Sequence, residues 1–272
     1  NFGQIIAAES KQSDIVHFHF PYPWGEFEWL RTPEFNTAPF VVTYHTDIVR
    51  QKLALMAYKP FLEKFLDKAA LIMASSPQLI QYSPFLSTRA DKCRQVNFGL
   101  PVEKIAHNAQ AIARAAQLRL EHDNRPIVLF VGRLVYYKGV EVLIDSMPNV
   151  SADYVVIGRG PLHESMLQQA EKLGVSDRLY FIDYATDDEL AAWYHAADVL
   201  ALPSVLPSEA FGLVQIEAHA AGTPTVSTLL QSGVPYANLD GLTGRSVEVG
   251  SAPALVTALN EILTDDELRA RF

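Results

Sequence analysis

Short apolar runs rich in β-branched and aromatic residues alternate with helical repeats along nearly the whole chain, and this alternation limits the fold more than any other feature. Parallel strands need a crossover helix between them, and helices on both faces bury the sheet, so the pattern calls for βαβ units and parallel sheets. Strands are expected first at 14–20, 40–44, 71–75 and 94–98. A helix over 51–69 lies among them, with Leu55, Tyr58, Leu62, Phe65 and Leu66 repeating at three and four. The alternation pauses at an alanine-rich helical stretch, 106–120, and a polar link, 121–126. It resumes with strands at 127–131, 154–157, 179–182, 199–202 and 225–227 and helices at 139–147, 162–173, 188–196 and 212–221. A chain of 272 residues exceeds the usual size of one domain, so two α/β domains are expected, 1–120 and 121–272, the first of them incomplete.

Composition removes several classes of function. No apolar run approaches the roughly 20 residues needed to cross a bilayer. Twenty-two Lys and Arg against 31 Asp and Glu give a net charge of −9, which repels a polyphosphate backbone and argues against nucleic acid as a partner. The single cysteine, Cys93, cannot close an intramolecular disulfide, which fits a reducing cytoplasm. The chain opens Asn1-Phe2-Gly3 within a helical pattern, with Phe2, Ile5 and Ile6 at helical spacing and no cap before them. The expectation is that a segment precedes it, and no signal peptide can be read from such a start.

The clearest chemistry lies in the second half. Val131-Gly132-Arg133-Leu134 followed by Lys138-Gly139 ends a strand in glycine and then sets two cations in one loop, a pairing suited to a diphosphate or, equally, to a solvated loop. Further on, Glu209 and Glu217 lie eight positions apart, the first in a Pro-rich loop and the second inside the helix that Phe211-Gly212-Leu213 begins. Free amides at that helix start attract anions, Gly212 admits a ligand close to the backbone, and the two carboxylates can accept from sugar hydroxyls. Glu217 sits among small and apolar residues, where an unpartnered charge would be costly. Glu209 could instead be an ordinary acid at a helix start.

In the first half, Thr43-Tyr44-His45 runs a strand into a polar end and brings an imidazole to the edge where substrates meet. A histidine so placed is more often structural. His17 and His19 are read as lying on opposite faces of a strand, and without further ligands no metal site is expected. The Pro21-Tyr22-Pro23-Trp24 stretch reads as an aromatic loop whose rings could stack on a sugar, meet a lipid headgroup or pack within the protein.

Gly132-Arg133 with Lys138-Gly139, Gly158-Arg159-Gly160-Pro161, the acid pair and Gly222-Thr223-Pro224-Thr225-Val226 together resemble glycosyltransferase family 4. The resemblance implies the GT-B fold, two Rossmann-like domains facing across a cleft, with the donor bound by the second. It implies that Arg133 and Lys138 hold the donor diphosphate, Glu209 faces the transferred sugar and Glu217 takes the ribose hydroxyls. It also implies contacts from Gly132, Gly158, Gly160, Phe211, Gly212 and Leu213 to the donor, and from His45 to the transferred sugar. Asp183 stands where relatives carry glycine, in the loop that usually meets the base, and Arg245 has no assigned role. The family's Gly-rich first turn and C-terminal crossing helix are not seen, so weak or absent turnover is expected of the chain alone.

The activity so implied is retaining transfer of a hexose, mannose among the candidates, from a GDP- or UDP-linked donor to a glycan or lipid-linked acceptor in bacterial surface polysaccharide assembly. No cofactor or metal is implied, the nucleotide-sugar being a co-substrate. The expected location is the cytoplasm, with peripheral association at the inner face of the membrane. The alternative is a non-catalytic nucleotide-binding or scaffolding fragment. A phosphorylase is disfavoured because no pyridoxal-type lysine signature is present.

Overall fold

A computed structural model of the chain describes residues 2–32, 38–48 and 52–272, without the side chains of residues 2, 7 and 52–54. Residues 49–51, including the first residue of the helix expected over 51–69, lie outside the described residues. The chain divides into two compact units, Asn1–Phe98 with Gln231–Gly233 and Gly99–Leu230 with Val234–Phe272.

The first unit holds a parallel sheet of β1 (Val16–Phe20), β2 (Phe40–Tyr44), β3 (Leu71–Ala74) and β4 (Cys93–Gln95), in that order. Phe18, Trp29, Phe40 and Phe65 close its core, with Phe18 edge-on to Trp29 at 5.3 Å and to Phe65 at 5.1 Å. This geometry is favourable for aromatic quadrupoles. The stretch read as an aromatic loop becomes a helix from Pro23 to Arg31. Proline in the first turn has no amide to lose and a φ already set for the helix. That helix buries Glu26 to 1% exposure. Its Oε1 accepts from the Tyr22 amide at 2.7 Å while its Oε2 has no partner. Burial pushes its pKa up to about 7, against the smaller opposing effect of the Tyr22 amide. Cys93 is likewise buried, and its thiol pKa is raised chiefly by that burial.

The second unit holds six parallel strands, β5 (Ile127–Val131), β6 (Asp153–Ile157), β7 (Leu179–Ile182), β8 (Val199–Leu202), β9 (Thr225–Thr228) and β10 (Gly244–Val247). Their order is β10-β9-β8-β5-β6-β7, the doubly wound Rossmann-like arrangement. All residues of β5, β6, β8 and β9 are buried, as strands covered on both faces require. The edge strand β10 was not expected, because Gly-Arg-Ser-Val is short and half polar. Helices Ala252–Thr264 and Asp266–Arg271, also unforeseen, follow it.

The boundary expected at residue 120 is displaced. The helix Ala109–Glu121 packs on Asp187–Ala196 in the second unit, burying Ala111, Ala115 and Leu118 in one core with Trp193 and Tyr194. Alanine on both facing surfaces lets the two helices approach closely. The contact is fixed by Arg119, which donates to Asp198 Oδ2 at 3.0 Å and to the Ala196 carbonyl at 2.8 Å. Arg245 also acquires a role: it grips Glu261 through Nε at 2.8 Å and lies 4.9 Å from the Phe272 ring, tying β10 to the helices after it. Among the described residues no helix is long and apolar enough to cross a membrane.

Glu26 makes the first unit's stability depend on pH. Its folded pKa is above its unfolded value, so its contribution is complete below about pH 4.5 and is lost as pH rises through about 7. Glu26→Gln removes the ionisation penalty and should stabilise the unit by about 2–3 kcal/mol more at pH 8 than at pH 5. Urea unfolding of both proteins at the two pH values measures this, and an equal effect at both would contradict it.

Candidate functional site

The chain reverses its direction of travel through the second sheet between β5 and β8, so the loops leaving their carboxyl ends diverge and open a crevice. The loop 132–139 leaves β5 and the loop 203–212 leaves β8. They are joined at their backbones by the Val205 amide donating to the Tyr137 carbonyl at 2.8 Å. A second tie is ionic, with Lys138 Nζ 2.5 Å from Glu209 Oε2. Each of these two residues is only 8% exposed. Ser204 Oγ donates to the same carboxylate oxygen at 3.2 Å and is itself buried. The structure therefore brings together two residues that the sequence reading placed separately on phosphate and sugar.

Arg133, by contrast, is exposed and has no salt bridge among the described residues. It still belongs to the same electrostatic neighbourhood. The Tyr137 hydroxyl is raised in pKa, first by burial and next by the Glu209 charge, while Arg133 opposes both. One cation is thus fixed and buried, and the other stands free at the surface.

Glycine here serves the meeting of loops more than the approach of a ligand. A Cβ on Gly158, where φ is +141°, would lie 2.1 Å from the Gly132 carbonyl oxygen. Gly160 packs against the Leu134 backbone in the same way, and the space beside Gly132 is taken by the Lys138 side chain. Gly212 caps the helix Leu213–Ala220 at φ +73°, in the left-handed region, and a Cβ there would meet Leu202 Cδ2 at 2.6 Å and Gln215 Nε2 at 2.8 Å. Buried Gln215 donates to the Phe211 carbonyl at 3.0 Å and holds the turn, while Phe211 packs edge-on to Tyr236 at 6.3 Å. In the first turn the Gln215 amide donates to the Gly212 carbonyl at 3.0 Å, while the Leu213 and Val214 amides precede any intrahelical acceptor and lie at the positive end of the helix dipole.

Glu217 lies one turn further along that helix, half-buried, and accepts the Tyr194 hydroxyl on Oε2 at 2.6 Å. Both side chains line a cavity of about 570 Å³, together with Leu100, Pro101, Asn108 and Asp187. The suspicion that so buried an acid needs a partner is met by Tyr194, which the sequence reading did not name. Its signal was present: a tyrosine in the alanine-rich helix Asp187–Ala196, whose buried hydroxyl needs an acceptor. Asp183, in the position where glycine is usual, pairs with Arg159 at 3.3 Å, so two otherwise separate loops share one exposed ion pair.

In the first unit the two histidines of β1 share a face, contrary to the sequence expectation. Side chains of a strand alternate with period two, so residues 17 and 19 point the same way, and their rings lie 4.5 Å apart. His19 Nδ1 is 2.9 Å from His45 Nε2, and the two rings stack. His45 is half-buried at the end of β2, its amide donating to the Phe20 carbonyl at 3.1 Å. Burial first, then the neighbouring His19 and His17, lowers its pKa, which keeps the ring neutral at neutral pH. Among the described residues no group of three or more His, Cys, Asp or Glu is arranged to hold a metal ion.

A fixed ammonium, an exposed guanidinium and a helix start stand at the switch point of a doubly wound sheet, where open α/β proteins commonly bind their ligands, with an acid one turn inside that helix. Such sites belong to nucleotide-binding α/β proteins. Residues 114–272 match the family model described as Glycosyl transferases group 1, and the chain belongs to that family. It is 32% identical over 260 residues to O-antigen chain mannosyltransferase C of Escherichia coli, covering 95% of this chain and 68% of that protein. It is 32% identical over 258 residues to the D-rhamnosyltransferase WbpZ of Pseudomonas aeruginosa, covering 93% of this chain and 64% of that protein. To a D-inositol 3-phosphate glycosyltransferase of Corynebacterium glutamicum it is 40% identical over 283 residues, covering 95% and 66%. The chain thus spans about two thirds of the length of these relatives.

Among solved structures, Anabaena HepE in complex with UDP superposes with a TM-score of 0.83 at 18% identity, covering 99% of this chain and 74% of that one. Sucrose-phosphate synthase from Thermosynechococcus elongatus superposes at 0.82 with 25% identity, covering 99% and 70%. Both carry the expected α/β fold.

Lys138→Met should leave the Glu209 carboxylate buried without its cation and cost about 3 kcal/mol of stability. Adding Glu209→Gln to that variant should recover most of the loss, because the orphaned charge is then gone. Urea unfolding of the wild type, both single variants and the double variant closes the cycle. Strictly additive losses would mean that the two side chains do not interact.

Proposed function

We propose that this chain carries the donor-binding machinery of a retaining glycosyltransferase of family 4 type, which moves a hexose from a nucleoside-diphosphate sugar to a glycan or lipid-linked acceptor. The observation that carries the reading is the Lys138–Glu209 contact beside the Gly212 helix start, with Arg133 free next to it. A diphosphate seated there meets two cations and a set of outward amides, all of which stabilise charge that grows as the leaving group departs. Glu209, held in place by Lys138 and Ser204, is the acid that faces the transferred sugar. Gly132, Gly158 and Gly160 shape the loops around the donor, and Phe211, Gly212 and Leu213 supply its backbone contacts.

In the transfer step the bond from the anomeric carbon to the phosphate oxygen breaks, and the acceptor oxygen bonds to that carbon on the same face. The acceptor proton passes to the departing phosphate oxygen, so no separate base is required. His45, neutral at neutral pH, contributes a hydrogen bond to the sugar without adding charge. The relatives named for mannosyl and rhamnosyl transfer favour a mannose-type hexose, and the name of one places it in O-antigen assembly. A GDP or UDP donor, work in the cytoplasm and peripheral association with the membrane that carries a lipid-linked acceptor complete the proposal.

Thermal denaturation of this chain with UDP, GDP and ADP should show one nucleotide raising the melting temperature above the others. At the full length of its relatives, the protein should release nucleoside diphosphate from the matching sugar donor, and Arg133→Ala should lower kcat/KM by about 100-fold or more. Stabilisation without release would favour the scaffolding alternative, and no stabilisation by any of the three would sink the donor-site reading.

A further inference from the structure

The cavity beside Glu217 contains a residue whose arrangement goes further than the family resemblance. We propose that Tyr194 is a positioning residue for ribose recognition: its hydroxyl holds one oxygen of the Glu217 carboxylate so that the acid is set to accept from the sugar hydroxyls of a nucleotide. This rests on the reading that the second unit binds a nucleoside-diphosphate sugar.

Tyr194 is held at both ends. Its side chain is 0% exposed, in the last turn of Asp187–Ala196 among Ala191, Ala192 and Trp193. Its carbonyl accepts from buried Thr223 Oγ1 at 2.6 Å, and its hydroxyl donates to Glu217 Oε2 at 2.6 Å. The helix that carries Tyr194 is therefore pinned to the Gly222 turn by one contact and to the Leu213–Ala220 helix by the other. Burial and the adjacent Glu217 charge both raise the hydroxyl's pKa strongly, so it remains a donor throughout the working pH range.

The hydrogen-bond count favours a diol. A carboxylate has about four acceptor positions, and Tyr194 occupies one. The remainder accommodates the two adjacent hydroxyls of a ribose, and Oε1 has no protein donor among the described residues. A carboxylate that could rotate freely would lose affinity to the entropy of fixing it, and the tyrosine meets that cost during folding instead. The wall that Leu100, Pro101, Asn108 and Asp187 add to the cavity gives the rest of a nucleoside a surface to meet.

Tyr194→Phe is the informative variant, because it keeps the ring that fills the core and removes only the hydroxyl. Calorimetric titration of this chain with UDP and GDP, and with their 2′-deoxy counterparts, reads the effect directly. The wild type should prefer the ribose form by about tenfold, and Tyr194→Phe should bind that form about tenfold more weakly while binding the deoxy form within about twofold of the wild type. Glu217→Gln should lose the same preference. Equal weakening toward ribose and deoxyribose ligands would assign Tyr194 to core packing and overturn the proposal, as would an unchanged Tyr194→Phe beside a weakened Glu217→Gln. If Glu217→Gln binds as the wild type does, the ribose reading of that acid falls as well.

Discussion

The contact on which the switch point of the second unit depends is the buried ion pair between Lys138 and Glu209. It joins a loop from β5 to a loop from β8 at the one place where the winding of the sheet leaves a crevice. Desolvating two charges is costly, and such a pair seldom adds stability over well-packed apolar side chains. Its value lies in register. The ammonium and Ser204 both hold one oxygen of the Glu209 carboxylate, which fixes it three residues before the Gly212 cap of the helix. Arg133 has no ion pair among the described residues, so a buried, paired cation stands beside an exposed one.

Around this contact, side-chain hydrogen bonds fix several further residues of the second unit. Gln215 fixes the turn at Phe211, Tyr194 fixes Glu217, and Asn238 bridges the Thr225 carbonyl at 3.2 Å and the Arg245 carbonyl at 2.9 Å. These bonds hold the turn, the acid and the edge strand in place, while the buried Gln215 Oε1 and Thr225 Oγ1 have no partner. The first unit follows a different economy. Its core rests on edge-to-face aromatic rings, and its histidines meet one another along one sheet face and not a charge.

Much of this could be read from the residues, because strand and helix periodicities differ and the buried strands of the second unit are continuously apolar. The parallel class, nine of the ten strands among the described residues and the helix that begins at Leu213 all followed from that contrast. What escaped had physical causes. Gly244–Val247 is a half-polar edge strand, and Pro23–Arg31 hides a helix behind prolines that look like loop signals. The paired faces of His17 and His19 should have been legible from strand geometry alone. The Lys138–Glu209 and Tyr194–Glu217 contacts could not be, since each joins residues at least 23 positions apart in sequence whose meeting is set by tertiary packing.

The alanine seam between Ala109–Glu121 and Asp187–Ala196 has a practical consequence for dissecting the molecule. The second unit excised at the polar link after residue 120 would lose that helix and bare the apolar flank around Trp193, inviting aggregation. Excision from Gly99 onward would keep the flank covered, Arg119 on its aspartate and the wall of the Glu217 cavity intact.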